Sequence, residues 1–458
     1  MISFLTSFGR APMFLAGLTI LGAVLAFASR PGAAQQPDIT FVTFAPEHAK
    51  AYQDILPEFE RRTGSRVRML VVDGSAMGSR LRAALEAGAQ VPDVVELNQF
   101  APFTRGPVED IGFTDLSERI TRERIDQHLV TSRFSLWASR GHRFALPHDV
   151  HPVMLAYRKD VVERLGIQVE ELTTWDKFTE VGRRIAQTRT PEGDIRHYML
   201  DLPKDSSSGS FDILMQQADA YLFNEQGNVT FDSDLTVKIM SWYVKHARGK
   251  TQIGTAAGWG QALASNLKDE RVLFVFTPDW RSHQFESNMP ELSGQLRMIP
   301  LPAWKEGSRR TSYWGGTGIF ITKASPKQEL AWELAKFLYL DESTYGQRFL
   351  ATYILPPVRS AWNLPELKQP IPYFGGQPIG QLYAALAPDV PAAIISTYDE
   401  LAHTQASGAL LEVGAWYEQT NDAAQLEAKV REALTTRANY VRATMSRNRF
   451  LTSGTEAR

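Results

Sequence analysis

His148-Asp149-Val150-His151 places two imidazoles and a carboxylate within four consecutive residues, a pattern that invites a metal. Pro147 and Pro152 bracket the run, so it is expected to be extended. In an extended chain, side chains at i and i+3 point to opposite faces. No second acidic cluster is fixed nearby, so no metal site is expected there. Thiolate chemistry has no residue to use, because the Cys count is zero. That also removes disulfides and any lipid-modified Cys anchor. Neither GxGxxG nor GxxxxGK[ST] occurs where a nucleotide would need it, and no cofactor is expected.

The elements that must position such residues begin with two βα units. Asp38 to Phe44 is rich in β-branched and aromatic residues, and Pro46 opens a run with Tyr52, Ile55, Leu56 and Phe59 at helical spacing. Pro57 within that run predicts a kink or a late helix start, and Gly64 ends it. Arg66 to Val72 alternates as a strand, and Gly74-Ser75 is expected to turn the chain. A second helix follows through Leu81, Ala84 and Leu85 to Gly88, then a third strand over 92–97. Strand–helix–strand–helix–strand with short connections implies a parallel sheet. Ligands bind at the carboxyl ends of such strands, here Phe44 to His48, Asp73 to Met77 and Leu97 to Phe100.

Farther along, Tyr157-Arg158-Lys159-Asp160 leads into a helix ending at Gly166. Thr173-Thr174-Trp175-Asp176 caps another, with Trp175, Phe178 and Ile185 near one face. Asn224 to Asn228 reads as a turn between a helix and a strand, and Arg271 to Phe276 as an apolar strand. Leu330, Leu334, Phe337 and Leu338 mark an amphipathic helix, and Pro356-Pro357 is expected to stop regular structure until a helix-favouring stretch from Asn421 to about Arg447.

The 458 residues suggest two or three domains, and 43% hydrophobic with 22% charged residues is an ordinary globular balance. Lys plus Arg 49 against Asp plus Glu 51 argues against a generally basic, nucleic-acid-binding surface. Arg10, the uncharged run Pro12 to Ala28, the break at Arg30-Pro31-Gly32 and the small residues Ala33 and Ala34 read as a signal peptide over 1–34, cleaved after Ala34. An uncleaved anchor is the other reading, although 17 residues is short for a span. No later apolar run approaches about 18 residues without charge.

The chain resembles the sugar-type extracellular solute-binding proteins of ATP-driven importers, the family of the maltose-binding protein. The likeness covers roughly 38–440 and rests on an ordered set: Phe44-Ala45-Pro46, Pro92-Asp93-Val94-Val95, Ala145-Leu146-Pro147, Tyr157-Arg158-Lys159-Asp160 and Thr174-Trp175-Asp176-Lys177-Phe178. The Asn224-to-Gly227 turn, Pro278-Asp279-Trp280, Gly315-Gly316-Thr317-Gly318, the helix over 330–338 and Leu355-Pro356-Pro357-Val358-Arg359 complete it. The resemblance implies an α/β, two-lobed periplasmic-binding-protein fold, each lobe a mostly parallel sheet flanked by helices, with a hinge between. The expected lobes are 37–147 plus 312–355 and 148–311 plus 356–458. It further implies a monomer that docks on inner-membrane permease subunits with a separate ATPase. Many relatives are lipoproteins, and the absence of Cys points instead to a free periplasmic protein. Asn228-Val229-Thr230 fits a glycosylation acceptor, but in the bacterial setting the family implies it is a chance match.

A sugar needs aromatic surface for its C–H patches and side chains that exchange several hydrogen bonds with its hydroxyls. The expected rim supplies Glu47, His48, Asn98, Gln99, His148, Asp149 and His151 on one side. Asp279, Trp280, Trp304, Tyr313, Trp314, Gly315 and Arg359 come from the other lobe and the return crossings. Each has a plainer reading: Trp280 as a strand-end core residue, Trp304 as loop packing, Gly315 as a hinge turn, Glu47 as a helix-terminal charge, Arg359 as an inter-lobe ion pair. Trp175, Trp242 and Trp332 lie on helices and are assigned to core. The function expected is non-catalytic capture of a carbohydrate. The same fold could instead take a polyamine, an anion or a phosphorylated polyol. A secreted glycoside hydrolase would need two carboxyls flanking a bond, for which Asp279 with Glu47 or Asp149 could be imagined.

Overall fold

The computed structural model describes residues 38–206 and 209–448, so the expected signal peptide lies outside the described residues. The described residues form one compact unit built on two five-stranded sheets. The strands are β1 (Ile39–Thr43), β2 (Val67–Val71), β3 (Val94–Leu97), the hairpin β4 (Ala138–Ser139) and β5 (His142–Arg143), β6 (Ala145–Pro147), β7 (Val153–Arg158), β8 (Tyr198–Asp201), β9 (Gly254–Thr255), β10 (Val272–Pro278), β11 (Leu296–Pro300) and β12 (Gly318–Ile321). The first sheet runs β2-β1-β3-β12-β6 and the second β11-β7-β10-β8-β9. With helices on both faces of each sheet, the fold is α/β and two-lobed.

Among the strands of the described residues, parallel pairing is confined to β1 with β2 and β3, and to β8 with β9 and β10. β12 is antiparallel to both β3 and β6, and β7 to both β10 and β11. This corrects the mostly parallel expectation. β12 reaches the first sheet from the other lobe and enters it in the opposite sense, without a βαβ crossover.

Side chains alternate across the first sheet as its pleat requires. Ile39, Phe41, Val94 and Ile319 face a core with Tyr52, Phe59, Trp332 and Phe337. Val42, Val95 and Phe320 face a second core with Met77, Leu81 and Phe100. Glu96 is the exception in β3, a fully buried carboxylate on an apolar strand. Tyr52 Oη donates to its Oε1 at 2.7 Å and Tyr339 Oη at 2.6 Å. Thr43 Oγ1 donates to Oε2, and His48 Nδ1 lies 3.2 Å from the same oxygen. Burial alone would raise this carboxyl, but the His48 charge and hydrogen bond hold it down at about 2.

Several local expectations shift. α1 (Pro46–Thr63) starts at Pro46 and continues through Pro57, while Gly64 ends it at φ 71°. Gly74-Ser75 does not turn the chain but begins α2 (Gly74–Glu86). Thr174, not Thr173, caps the helix Trp175–Ile185 by accepting from Lys177 N. The Asn224–Asn228 turn closes a bridge between Phe223 and Val229, with Asn224 Oδ1 accepting from both Gln226 N and Asn228 N. Regular structure also resumes soon after Pro356-Pro357, including the 22-residue helix Asp399–Thr420. Its buried side includes Ala402, Ala406, Ala409 and Gly414, which are too small to register as an apolar stripe. No helix among the described residues is long and apolar enough to cross a membrane.

The Glu96 cluster gives a stability test. Glu96→Ala strands two tyrosine hydroxyls, a threonine and an imidazole, and should cost about 3–5 kcal/mol in urea unfolding. Tyr339→Phe removes one donor of several and should cost about 1–2 kcal/mol. Equal losses would contradict the shared network.

Candidate functional site

Three chain crossings join the lobes, and one buried charge chain ties them together. The first crossing, between β6 and β7, carries Asp149 and His151, both nearly inaccessible. Asp149 Oδ2 accepts from Thr317 N at 2.9 Å, on the second crossing, and lies 3.0 Å from His151 Nε2. Arg133 donates to Asp149 Oδ1 at 3.3 Å and to the Gly315 carbonyl at 3.2 Å. His151 Nδ1 sits 2.6 Å from Asp279 Oδ1 at the end of β10. Asp279 Oδ2 then accepts from Leu355 N at 2.7 Å, on the third crossing. His151 has φ 55°, a left-handed conformation uncommon for a residue with a Cβ.

The charges follow from this arrangement. Burial would lower the His151 pKa, but Asp149 and Asp279 raise it to about 9. Burial works against the Asp149 carboxylate as well, yet the His151 charge holds it well below the usual range. His148, buried against His48 at a ring separation of 4.3 Å, is pushed down to about 4 by desolvation and then by that neighbour.

Two adjoining cavities open beside these crossings. The larger, of about 510 Å³, is lined by Asn98, Gln99, Tyr313, Trp314, Asp212 and His403 among others. The smaller, of about 350 Å³, takes in Glu47, His48, His151, Trp280 and Gln284. Asn98, Trp314 and Gly315 border both. Glu47 is therefore both in the first turn of α1 and on the smaller cavity.

Local chemistry explains how the tryptophans are held. Trp280 follows Asp279 at the start of the helix Asp279–Asn288, and its amide donates to Asp279 Oδ1 at 2.8 Å. Its indole N–H donates to the Trp314 carbonyl at 2.9 Å, and the two rings meet edge to face at 5.3 Å. Gly315 adopts φ 91°, and Gly209 packs so closely that a Cβ would come within 2.7 Å of the Trp314 ring. The aromatic wall is thus fixed by the same residues that fix the crossings.

Other expected site residues lie elsewhere. His148, Asp149 and Asp279 line neither cavity, and the carboxylates of Asp149 and Asp279 are spent inside the crossings. Trp304 packs on Trp175 and Trp242, and its N–H donates to the Leu214 carbonyl at 3.2 Å, so loop and core packing accounts for it. Arg359 is exposed on a short 3₁₀ turn outside both cavities, and among the described residues no ion pair includes it. The carboxylate pair imagined for hydrolysis dissolves accordingly, since Asp149 and Asp279 face no cavity.

The histidine pairing also differs from the sequence pattern. His148 meets His48 and Glu96, with ligand atoms of the three within 4.8 Å of one another. Glu96 already accepts from Tyr52, Tyr339 and Thr43 and contacts His48, which uses its lone-pair positions without an ion.

The long helix after Pro357 contributes what sequence reasoning missed. Asp399, Glu400 and His403 project from its first turns onto the larger cavity. Burial pushes the Asp399 carboxyl up to about 7, and His403 Nε2 lies 3.0 Å from Asp212. Arg133 had no signal either. Trp259, stacked on Trp280, did have one in its flanking glycines, Gly258 and Gly260.

Two lobes, three crossings and a polar-aromatic cleft between them define a ligand-binding protein of the hinged, two-lobed class. Residues 45–345 match the family described as bacterial extracellular solute-binding protein, and the chain belongs to that family. It is 26% identical over 377 residues to an arabinooligosaccharide-binding protein of Halalkalibacterium halodurans, covering 79% of this chain and 81% of that one. A Bacillus subtilis protein with the same description is 27% identical over 369 residues, covering 78% and 82%. In fold it is similar to the sugar-binding protein MalE from Xanthomonas citri, with a TM-score of 0.69 at 17% identity, covering 89% of this chain and 99% of that one.

The crossing network predicts a pH response. A histidine whose folded value is about 9 adds stability that is complete below its ordinary value of 6.5 and is lost as pH rises through 9. The unfolding free energy should fall over that window by up to about 3 kcal/mol. His151→Gln should flatten this limb, measured by urea titrations at stepped pH; an unchanged slope would assign it to other groups.

Proposed function

We propose that this chain is the substrate-capturing component of an ATP-driven importer and that its cargo is a neutral carbohydrate of oligosaccharide size. The observation that carries this reading is the Trp280–Trp314 wall facing amide and carboxylate side chains, Asn98, Gln99 and Glu47, across adjoining cavities. Indole faces suit sugar C–H surfaces, and such polar groups exchange hydrogen bonds with hydroxyls. Both relatives described above are arabinooligosaccharide-binding proteins, which supports the same cargo class.

Charge supports neutrality. No Lys or Arg is among the described residues lining either cavity, so a phosphate ester or other anion would lack the partners it needs. Two of the carboxylates that line the cavities are engaged: Asp212 with His403, and Glu400 with Arg105 at 3.3 Å. A polyamine would require them free.

In this reading the lobes comprise 37–147 plus 312–355 and 148–311 plus 356–458. Sugar contacting both shifts the population toward a closed form. The closed form then docks on inner-membrane permease subunits driven by a separate ATPase. Residues 1–34 direct export, and the mature protein is a free periplasmic monomer without a lipid tether. The family is one of binding proteins, and no catalytic role is assigned to any residue.

Calorimetric titration with α-1,5-arabinotriose and maltotriose, paired with solution scattering, tests this. One-to-one binding with compaction is expected for at least one of them. Trp314→Ala should weaken it by about ten-fold or more while leaving the fold intact. A broad panel of neutral saccharides giving neither heat nor compaction would overturn the assignment.

A further inference from the structure

A cavity of about 540 Å³ opens among the helices Trp175–Ile185, Asp234–Ala247 and Leu426–Met445. It shares no residue with the two cavities of the cleft. The helix Asp234–Ala247 lines it with Lys238, Ser241, Trp242 and Lys245, at i, i+3, i+4 and i+7, and with His246. The first four residues form one helix face, so the wall is a regular surface and not a chance meeting of loops.

Two polar atoms of this wall are unsatisfied. Ser241 is 7% exposed and His246 3%, and among the described residues neither Ser241 Oγ nor His246 Nε2 has a hydrogen-bond partner. Buried polar groups are nearly always paired, so two orphans on one cavity wall point to an occupant. The tautomer of His246 follows from its surroundings. Nδ1 lies 2.7 Å from the Trp242 carbonyl, which only accepts, so Nδ1 carries the proton and Nε2 offers a lone pair. The Trp242 ring, 4.6 Å away, holds the imidazole in that orientation. Burial, and then the charges of Arg183 and Lys245, lower the His246 pKa to about 4, which keeps the ring neutral.

Charge narrows the ligand class. Arg183, Lys238 and Lys245 line the cavity, and among the described residues none of them forms an ion pair. Lys245 also complements the carbonyl end of its helix, but that role leaves Ser241 and His246 unsatisfied. Asp176, Glu180 and Glu427 line the cavity too and are exposed, whereas the charges acting on buried His246 are both positive. A fully deprotonated anion would answer the cations and the serine but set its lone pairs against that of Nε2. A phosphate group still carries a proton in part of its population near neutral pH, so its hydroxyl can donate while its other oxygens accept. We propose that this cavity binds a phosphate group, as inorganic phosphate or a phosphate monoester, at a site separate from the cleft. Arg183, Lys245 and Ser241 donate to its oxygens, and His246 Nε2 accepts from its hydroxyl.

The experiment is calorimetric titration of the purified protein with inorganic phosphate, glycerol 3-phosphate and sulfate, each to about 10 mM. Phosphate should bind one-to-one, and sulfate about ten-fold more weakly or worse, because it has no proton to give His246. Binding of inorganic phosphate alone would assign the site to the free ion, and binding of both phosphates would extend it to monoesters. Arg183→Gln and Lys245→Gln should each weaken phosphate by about ten-fold. His246→Gln should erase the preference over sulfate. In NMR titrations of the labelled histidines, His246 should titrate near 4 without phosphate and at higher pH with it, since a bound anion stabilises the imidazolium. Arg183 is exposed, so its variant keeps the test readable if His246→Gln fails to fold. No heat with either phosphate, equal binding of sulfate, or full affinity in both cation variants would overturn the site.

Discussion

The contact on which the structure depends is the buried chain Asp149–His151–Asp279. A charge removed from water is costly unless it is paired and its remaining lone pairs are filled. Here every member is paired, and each pairing spans a different stretch of chain: Asp149 reaches Thr317, and Asp279 reaches Leu355. The three crossings between lobes are thereby held in one register by groups that have no other place to go. A hydrophobic contact of equal area would fix them less specifically, because apolar packing is non-directional.

The cleft inherits its order from that register. Arg133, bound to Asp149, also holds the Gly315 carbonyl. Asp279 receives the Trp280 amide, and Trp280 in turn holds Trp314. A side chain that would touch a ligand is therefore only one or two hydrogen bonds from the hinge. In a two-state clamp, ligand shifts the equilibrium by its differential affinity for the closed form. Coupling of aromatic wall to crossing gives that difference a physical path.

Legibility in the sequence followed side-chain size and locality. The opening βα units, the cap before Trp175 and the apolar strand leading to Asp279 are local patterns, and the structure reproduces them with small shifts of boundary. The helix Asp399–Thr420 was invisible because alanine and glycine form much of its buried face, and with it went Asp399 and His403. Of the rim residues, Glu47, Asn98, Gln99, Trp280 and Trp314 stand at strand ends or glycine turns, positions that pattern alone can place beside the cleft. Trp304 stood in similar company, yet it turns inward onto Trp175 and Trp242.

By itself the sequence determined the fold class, the absence of thiol chemistry, and which turns carry polar and aromatic residues. These depend on composition and on periodicity within a few neighbours, which a chain carries before it folds. Only the tertiary structure decided that His148 joins His48 and Glu96 while His151 joins Asp279, since these partners are separated in sequence by up to 128 residues. It also decided that Asp149 and Asp279 serve the hinge and leave the cleft to others. Long-range electrostatic pairing depends on distances that no local pattern encodes, and those distances exist only once both sheets are assembled.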